Sequence, residues 1–302
     1  MTGFELVGVP YTSMARPGGI ATAIDVLRSA GLAERLAERG VQDAGDLTLE
    51  APSGERGPSG LLNEQALSRL VVTTRDMVRA VQARARVPLL VGGDCPVLLG
   101  ALAAIAGGEH ANGLIMIDGH EDAWPPALSE TGEASDSELG IALGTISVAL
   151  PSPLDEWVPL VDPAHVALLG PRDARAIAQG GATSVRSEVA CFLDDEEVAS
   201  VGGDQSMTAA LDAISGVAFW LHVDLDVLAT ADFPAVDYPQ PGGLHWDDLD
   251  QLVAVAVAGT HCRGASIAIY NPDRDPDHSA AQRIVEFVSH FIEGLRPTPT
   301  EP

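Results

Sequence analysis

The chain has 302 residues, 46% of them apolar, with a formal net charge of −26. That is enough apolar material for one large α/β domain with a sizeable core. So strong an acidity argues against nucleic acid and anionic membranes as partners and offers an attractive field to cations. Cys95, Cys191 and Cys262 are odd in number and widely spaced, which argues against a disulfide framework. The start MTGFELVGVPY lacks the regions of a secretory signal, and no run is long enough to span a bilayer, so a soluble cytoplasmic protein is expected.

In chain order, Phe4–Val9 reads as a strand and Gly18–Ala30 as a helix with Ile20, Ala23, Ile24 and Leu27 on one face. A short helix follows through Leu36, and residues 43–60, rich in Gly, Pro, Ser and Glu, read as a surface loop. Asn63–Arg86 is a long helix striped by Leu67, Leu70, Val71, Val78 and Val81. Strand Val87–Val91, the turn Gly92–Cys95, helix Val97–Ala106 and strand Leu114–Ile117 then alternate, the pattern of parallel βα units. Gly132–Gly144 starts acidic and becomes helical. Further on come strand Ala164–Leu169, helix Asp173–Gln179, a short strand over 188–193, and a helix capped by Asp204 and running to Ile214. Strand Ala218–Leu228, a proline-rich loop to Gly243, helix Trp246–Ala258, strand Gly264–Tyr270 and helix Ala280–Leu295 complete a single domain over 1–295. Residues 296–302 read as a disordered tail.

Chemistry-bearing residues gather at three strand ends. Leu114–Ile117 runs into Asp118-Gly119-His120-Glu121-Asp122, and in an extended backbone Asp118, His120 and Asp122 share one face. Ala218–Leu228 delivers Asp224 and Asp226 two residues apart, with His222 on the same side as a supporting group. Gly92-Gly93-Asp94-Cys95 follows a third apolar strand. In open α/β sheets ligands bind at such carboxyl ends. Mixed Asp and His donors suit Mn²⁺ or a similar divalent ion. Each segment has an ordinary alternative: a solvated acidic turn, or a buried cysteine that only packs.

The three segments resemble the metal-binding motifs GGDH, DAHxD and SxDxDxxDP of the ureohydrolase superfamily of arginases, agmatinases and formimidoylglutamases. Here they stand as GGDC, DGHED and HVDLD. The third motif's tail continues as DFPAVDYPQPGGL, and RPGGIATAIDVLRSAGL is similar to that family's entry into its first helix. The resemblance implies a three-layer α/β/α fold with a mainly parallel central sheet, two Mn²⁺ ions per subunit, and homo-oligomers. It implies that Asp118 and Asp224 bridge the ions, Cys95 and Asp122 complete one, and His120 and Asp226 complete the other. Two ions sharing one water activate it for attack on a guanidinium or amidine carbon.

Four departures bear on substrate. Cys95 stands where most members have histidine, and thiolate suits Mn²⁺ poorly. The loop Ser129–Gly140 lacks the family's proton-handling histidine; Asp136 best matches its position, with Glu138 nearby, so these two are the candidate catalytic acids. Their ordinary alternative is an acidic helix start favoured by the helix dipole. In the final strand motif ExNP the glutamate position is Ile269, beside Tyr270. Trp124 replaces a polar residue that holds the amino-acid head group in arginases. Trp124, Ile269 and Tyr270 are therefore expected at the substrate. The function expected is metal-dependent hydrolysis of a linear C–N bond in a small amidine-, guanidine- or formimino-type substrate other than arginine or agmatine. The alternatives are a non-catalytic metal-binding relative with a regulatory or assembly role, and amide hydrolysis as in the deacetylases that share this fold.

Overall fold

The structure, a computed structural model, describes residues 3–106, 111–146, 148–259 and 261–294. The expected tail, 296–302, lies outside them. Eight strands form one parallel sheet: β1 Phe4–Gly8, β2 Gln42–Asp46, β3 Val87–Val91, β4 Asn112–Ile117, β5 Val166–Leu169, β6 Cys191–Leu193, β7 Ala218–Asp224 and β8 Cys262–Ala268. Their order is β2-β1-β3-β8-β7-β4-β5-β6, with every pairing parallel. The central strands read VPLLV, NGLIMI and AFWLHVD and are buried almost throughout, as a sheet covered on both faces requires.

Helices α1 Ala23–Ser29, α2 Leu32–Ala37, α3 Glu64–Ala83, α4 Val97–Ile105, α5 Glu138–Leu143, α6 Leu154–Trp157, α7 Ala174–Gly180, α8 Asp195–Val201, α9 Gly203–Ala213, α10 Trp246–Ala258 and α11 Ser279–Gly294 supply the outer layers. Strand parity divides the core between them. Leu6, Leu89, Val91, Ile115, Ile117, Leu221 and Val223 pack with α1, α2, α9, α10 and α11. Val7, Leu90, Leu114, Met116 and Trp220 face the other way, against α3, α4 and α5. His222 and Asp224 follow Trp220 at intervals of two, so they share its face. The expected three-layer α/β/α architecture is the observed one.

The differences from expectation have local causes. Strand β2 overlaps the start of the stretch expected to be loop. It is a polar edge strand, QDAGD, held to β1 by backbone pairing and showing no apolar alternation. Helix α8 has no apolar run to announce it, yet carries a capping box: Asp194 accepts from the Glu197 amide and Glu197 accepts from the Asp194 amide, each at 2.9 Å. Gly202 alone separates α8, which ends at Val201, from α9, which begins at Gly203. Asp204, expected to cap it, sits inside its first turn without a capping bond. Strand β7 stops at Asp224; a 3-10 turn over Leu225–Val227 carries Asp226. Among the described residues, no helix is long and apolar enough to cross a membrane.

Candidate metal centre

Three turns bring the ligand residues together beyond the carboxyl ends of β3, β4 and β7. At the end of β3, Gly92 and Gly93 have φ +94° and +68°. A Cβ on Gly93 would collide with the Val9 carbonyl oxygen, so only glycine permits this turn. It delivers Asp94, which accepts from the Ser13 amide at 2.6 Å and the Cys95 amide at 3.0 Å. The Cys95 sulfur, fully buried, is thereby set 2.9 Å from Asp224 Oδ2.

At the end of β4, Asp118 Oδ1 accepts from the His120 amide at 2.7 Å. The segment is not extended as its alternation suggested, since Asp122 is left-handed at φ +42°. Asp118, His120 and Asp122 nevertheless converge, each offering a ligand atom within 4.8 Å of the others. Gly119 has no room for the alanine methyl of the family motif, which would lie 2.5 Å from Arg172 Nη1 and 2.8 Å from Asp226 Oδ1. Arg172 donates to the carbonyls of Asp226 at 2.7 Å and Val227 at 3.3 Å, clamping the turn after β7. That turn is closed from within by the Asp226 amide donating to Asp224 Oδ1 at 2.6 Å. Asp226 Oδ2 then lies 3.0 Å from His120 Nδ1. Glu121, the alternate residue, points away and accepts from Ser184 Oγ at 2.8 Å and the Val185 amide at 2.7 Å.

Asp118 belongs to three overlapping groups: with His120 and Asp122, with Asp224 and Asp226, and with Cys95, Glu138 and His222. Burial, reinforced by neighbouring carboxylates, pushes Asp118, Asp122 and Asp224 well above the usual carboxylate range. Burial and Asp224 likewise push the Cys95 thiol up. Burial would lower His120, but Asp226 outweighs it and brings the imidazole up to about 9. Burial would raise Asp226, but His120 and Arg172 hold it below its ordinary value. Burial alone keeps His222 neutral, down to about 3. Asp118 Oδ2 is buried without a hydrogen-bond partner. Anions at this density stay ionised only if cations neutralise them. These residues fit divalent metal ions.

Above the cluster opens a cavity of about 760 Å³, lined among others by Asp94, His120, Trp124, Glu133, Asp136, Asp237, Tyr238 and Ile269. Asp136 lies in its wall, accepting at Oδ2 from Ser129 Oγ and, at 2.6 Å, from Thr131 Oγ1. Trp124 lines it too, stacked over Gly180, where any Cβ would strike the indole. Ile269 reaches it from just beyond β8 with φ +62°. Two expectations are corrected. Tyr270 is core rather than substrate wall: it is buried and donates to Asp275 Oδ2 at 2.7 Å, because the left-handed Ile269 breaks the strand's alternation. Glu138, expected as a catalytic acid, does not line the cavity but lies fully buried beneath it. Asp122 fixes it there, its carbonyl accepting from the Leu139 and Gly140 amides at 2.9 and 3.2 Å.

Other wall residues were not read from the sequence. The loop after Asp226 contributes Asp237, Tyr238 and Gln240. Tyr238 donates to Glu133 Oε2 at 3.0 Å, and the Gln240 amide meets His120 Nε2. The quoted tail DFPAVDYPQPGGL marked this loop but not which side chains turn inward. Burial and Asp94 push Glu133 up to about 7, and burial pushes Asp94 up to about 6. No lysine or arginine lines the cavity among the described residues.

The Arginase family model matches residues 3–292. The arginase of Bacillus caldovelox is 26% identical over 299 residues, covering 97% of this chain and 98% of that one. Its native structure at pH 5.6 superimposes with a TM-score of 0.83 at 24% identity, covering 97% and 98% of the two chains. Formimidoylglutamase from Bacillus subtilis superimposes with a TM-score of 0.74 at 19% identity, covering 99% of this chain and 88% of its own. The family model spans nearly the whole sequence, and the three strand-end turns hold the residues on which the motif resemblance rested: this chain belongs to the arginase family.

Proposed function

We propose that this family member is a metal-dependent hydrolase of a linear C–N bond in a small, positively charged amidine-, guanidine- or formimino-type substrate, and that arginine and agmatine are poor substrates. The observation that carries the reading is the placement of Asp118, shared by three ligand groups, under the floor of an acid-walled cavity. Divalent ions, Mn²⁺ by family resemblance, would be held by Asp118, His120, Asp122, Asp224 and Asp226. When bound, they polarise a water and the substrate's C–N carbon.

The chain's own residues do the rest. Asp136 uses Oδ2 for Ser129 and Thr131, leaving Oδ1 to accept from a substrate nitrogen, to take up the proton that the attacking water gives up and to pass that proton to the leaving amine. Glu133, braced by Tyr238, adds negative charge on the same side. Trp124 and the exposed Leu128 cover the apolar part of the substrate and exclude water. Ile269 offers no carboxylate to a guanidinium, and a buried charge left unpaired costs several kcal/mol. A substrate carboxylate would meet Glu133, Asp136 and Asp237 and no lysine or arginine among the described residues of this wall, which disfavours arginine further.

The test is a panel of amidine, guanidino and formimino compounds presented to metal-reconstituted protein, with ammonia and urea release as the readout. Turnover of a cationic compound lacking a carboxylate is expected. Ordinary rates on arginine or agmatine refute the specificity. Failure on every compound by fully loaded protein moves the assignment to a non-catalytic metal-binding relative. A homo-oligomer is proposed from family resemblance and is checked by sedimentation velocity.

A further inference from the structure

The deepest part of the cluster differs from the arrangement that the motifs imply. Cys95, Asp118, Glu138 and His222 each place a ligand atom within 4.8 Å of the others. All four residues have zero exposure. His222 Nε2 and Asp118 Oδ2 are buried without a hydrogen-bond partner, and the buried Glu138 carboxyl meets only the Asp122 carboxyl, with which it can share a proton, and its own backbone amide. A buried imidazole nitrogen aimed at a thiol and two carboxyls is an unmet ligand, not packing.

The far side of His222 has the support that a ligating histidine needs. His222 Nδ1 is 2.6 Å from Ser266 Oγ, which also accepts from Trp220 Nε1 at 3.0 Å. Strand register enforces this, because His222 on β7 pairs directly with Ser266 on β8. With Nδ1–H donating to Ser266, Nε2 carries the lone pair that faces the cluster. Such a partner behind the ring fixes the tautomer and orientation of metal-binding histidines.

We propose that Cys95 Sγ, one oxygen each of Asp118 and Glu138, and His222 Nε2 form a closed four-donor site for a zinc-class cation. This deepens the hydrolase reading, with which it shares Asp118. One sulfur, one imidazole and two carboxylates, with no opening to solvent, match tetrahedral Zn²⁺ and its Co²⁺ surrogate. Mn²⁺ favours oxygen-rich, higher-coordinate surroundings. Binding expels the Cys95 thiol proton and any proton held by the carboxyls, with no change of oxidation state. In this arrangement Asp122 and Asp224 serve the outer ion, and the exchange of histidine for cysteine in GGDC has its counterpart in His222.

The test uses the full chain, stripped of metal and titrated with Zn²⁺ and with Co²⁺. Co²⁺ should give intense visible bands of four-coordination and a thiolate-to-cobalt charge-transfer band in the near ultraviolet. His222→Asn and Glu138→Gln should each weaken Zn²⁺ binding at least tenfold and alter the cobalt spectrum, with circular dichroism confirming the fold. Asp226→Asn should leave that spectrum in place. Unchanged Zn²⁺ affinity and cobalt spectrum in both folded variants overturn the site, as does loss of the spectrum in Asp122→Asn but not in His222→Asn. X-ray absorption of the wild-type zinc form needs no variant: four donors including one sulfur support the site, and a shell of six oxygen and nitrogen donors without sulfur refutes it. None of these readouts involves turnover. An inactive protein with the four-coordinate spectrum keeps the site and loses the hydrolase assignment, whereas an active protein with six-coordinate metal does the reverse.

Discussion

The floor and the mouth of this centre are built from the same three strand ends but sit in different surroundings. On the floor, Cys95, Asp118, Glu138 and His222 are wholly buried, Cys95 just before α4 and Glu138 as the first residue of α5. At the mouth, the His120 side chain retains 20% exposure, touches Gln240 and pairs with Asp226. Charges on the floor feel a low effective dielectric and cannot be compensated by water, while those at the mouth can. The floor should therefore bind its ion tightly and exchange it slowly, and the mouth should exchange ions and admit substrate.

The most damaging way to break this contrast is Asp118→Asn, since Asp118 serves every ligand group. It should empty both positions, read as metal content by mass spectrometry, and lower turnover by several orders of magnitude. An Asp118→Asn protein that keeps one ion would show the positions to be independent. Asp136→Asn addresses the mouth alone. General acid–base groups contribute about 10²–10⁴-fold, so turnover should fall at least about a hundredfold with metal content unchanged. Normal turnover would reduce Asp136 to a residue that shapes its loop.

Acidification sharpens the comparison next. Folded-state values of Asp118, Asp122, Asp224 and Glu138 are raised by burial. The metal-free native state thus holds more protons than the unfolded chain. The stability these groups contribute is fully present below their unfolded values and is lost as pH rises through the folded ones. Metal-free protein should become less stable as pH climbs from the ordinary carboxylate range, and divalent ion should reverse the loss. Metal affinity should run the opposite way, rising about tenfold per pH unit for each proton displaced. Thermal melts of the stripped and loaded forms across pH check both signs; identical slopes would mean that the carboxyls are not ligands.

Cys95→His exchanges sulfur for nitrogen on the floor. It should tighten Mn²⁺ binding about tenfold relative to Zn²⁺, measured by competitive titration; an unchanged preference would mean that Cys95 is not a ligand. Tyr238→Phe has the smallest expected effect. It removes one partly exposed hydrogen bond to Glu133 and should raise KM by about three- to tenfold at constant kcat. A fall in kcat instead would place Tyr238 in the chemical step.

Much of this centre is legible in the sequence alone. Apolar runs marked β3, β4 and β7 because parallel strands are buried on both faces, and the acids following each run marked the strand ends. What was hidden has physical reasons. Strand β2 is held by backbone pairing at an exposed edge, so its polar residues carry no periodic signal. The motif puts Tyr270 at the substrate, but a single left-handed residue, Ile269, resets the parity of everything after it. Glu138 is sixteen positions beyond Asp122, and only the folded loop, with Asp122's carbonyl holding the start of α5, lowers it onto the floor. His222 obeyed the same alternation that identified Asp224 and Asp226. Its role depends on Ser266, a neighbour that pairing supplies and sequence spacing does not.

The shared hydroxyl of Ser266 also gives the protein an optical handle. Trp220 is fully buried, and its indole N–H rests on the oxygen that orients His222. Whatever engages His222 from the cluster side redistributes the hydrogen bonding around that oxygen and shifts the polarity the indole senses. With Trp124, Trp157 and Trp246 replaced by phenylalanine, intrinsic emission from Trp220 can therefore follow events on the floor in real time, without a label and without a substrate.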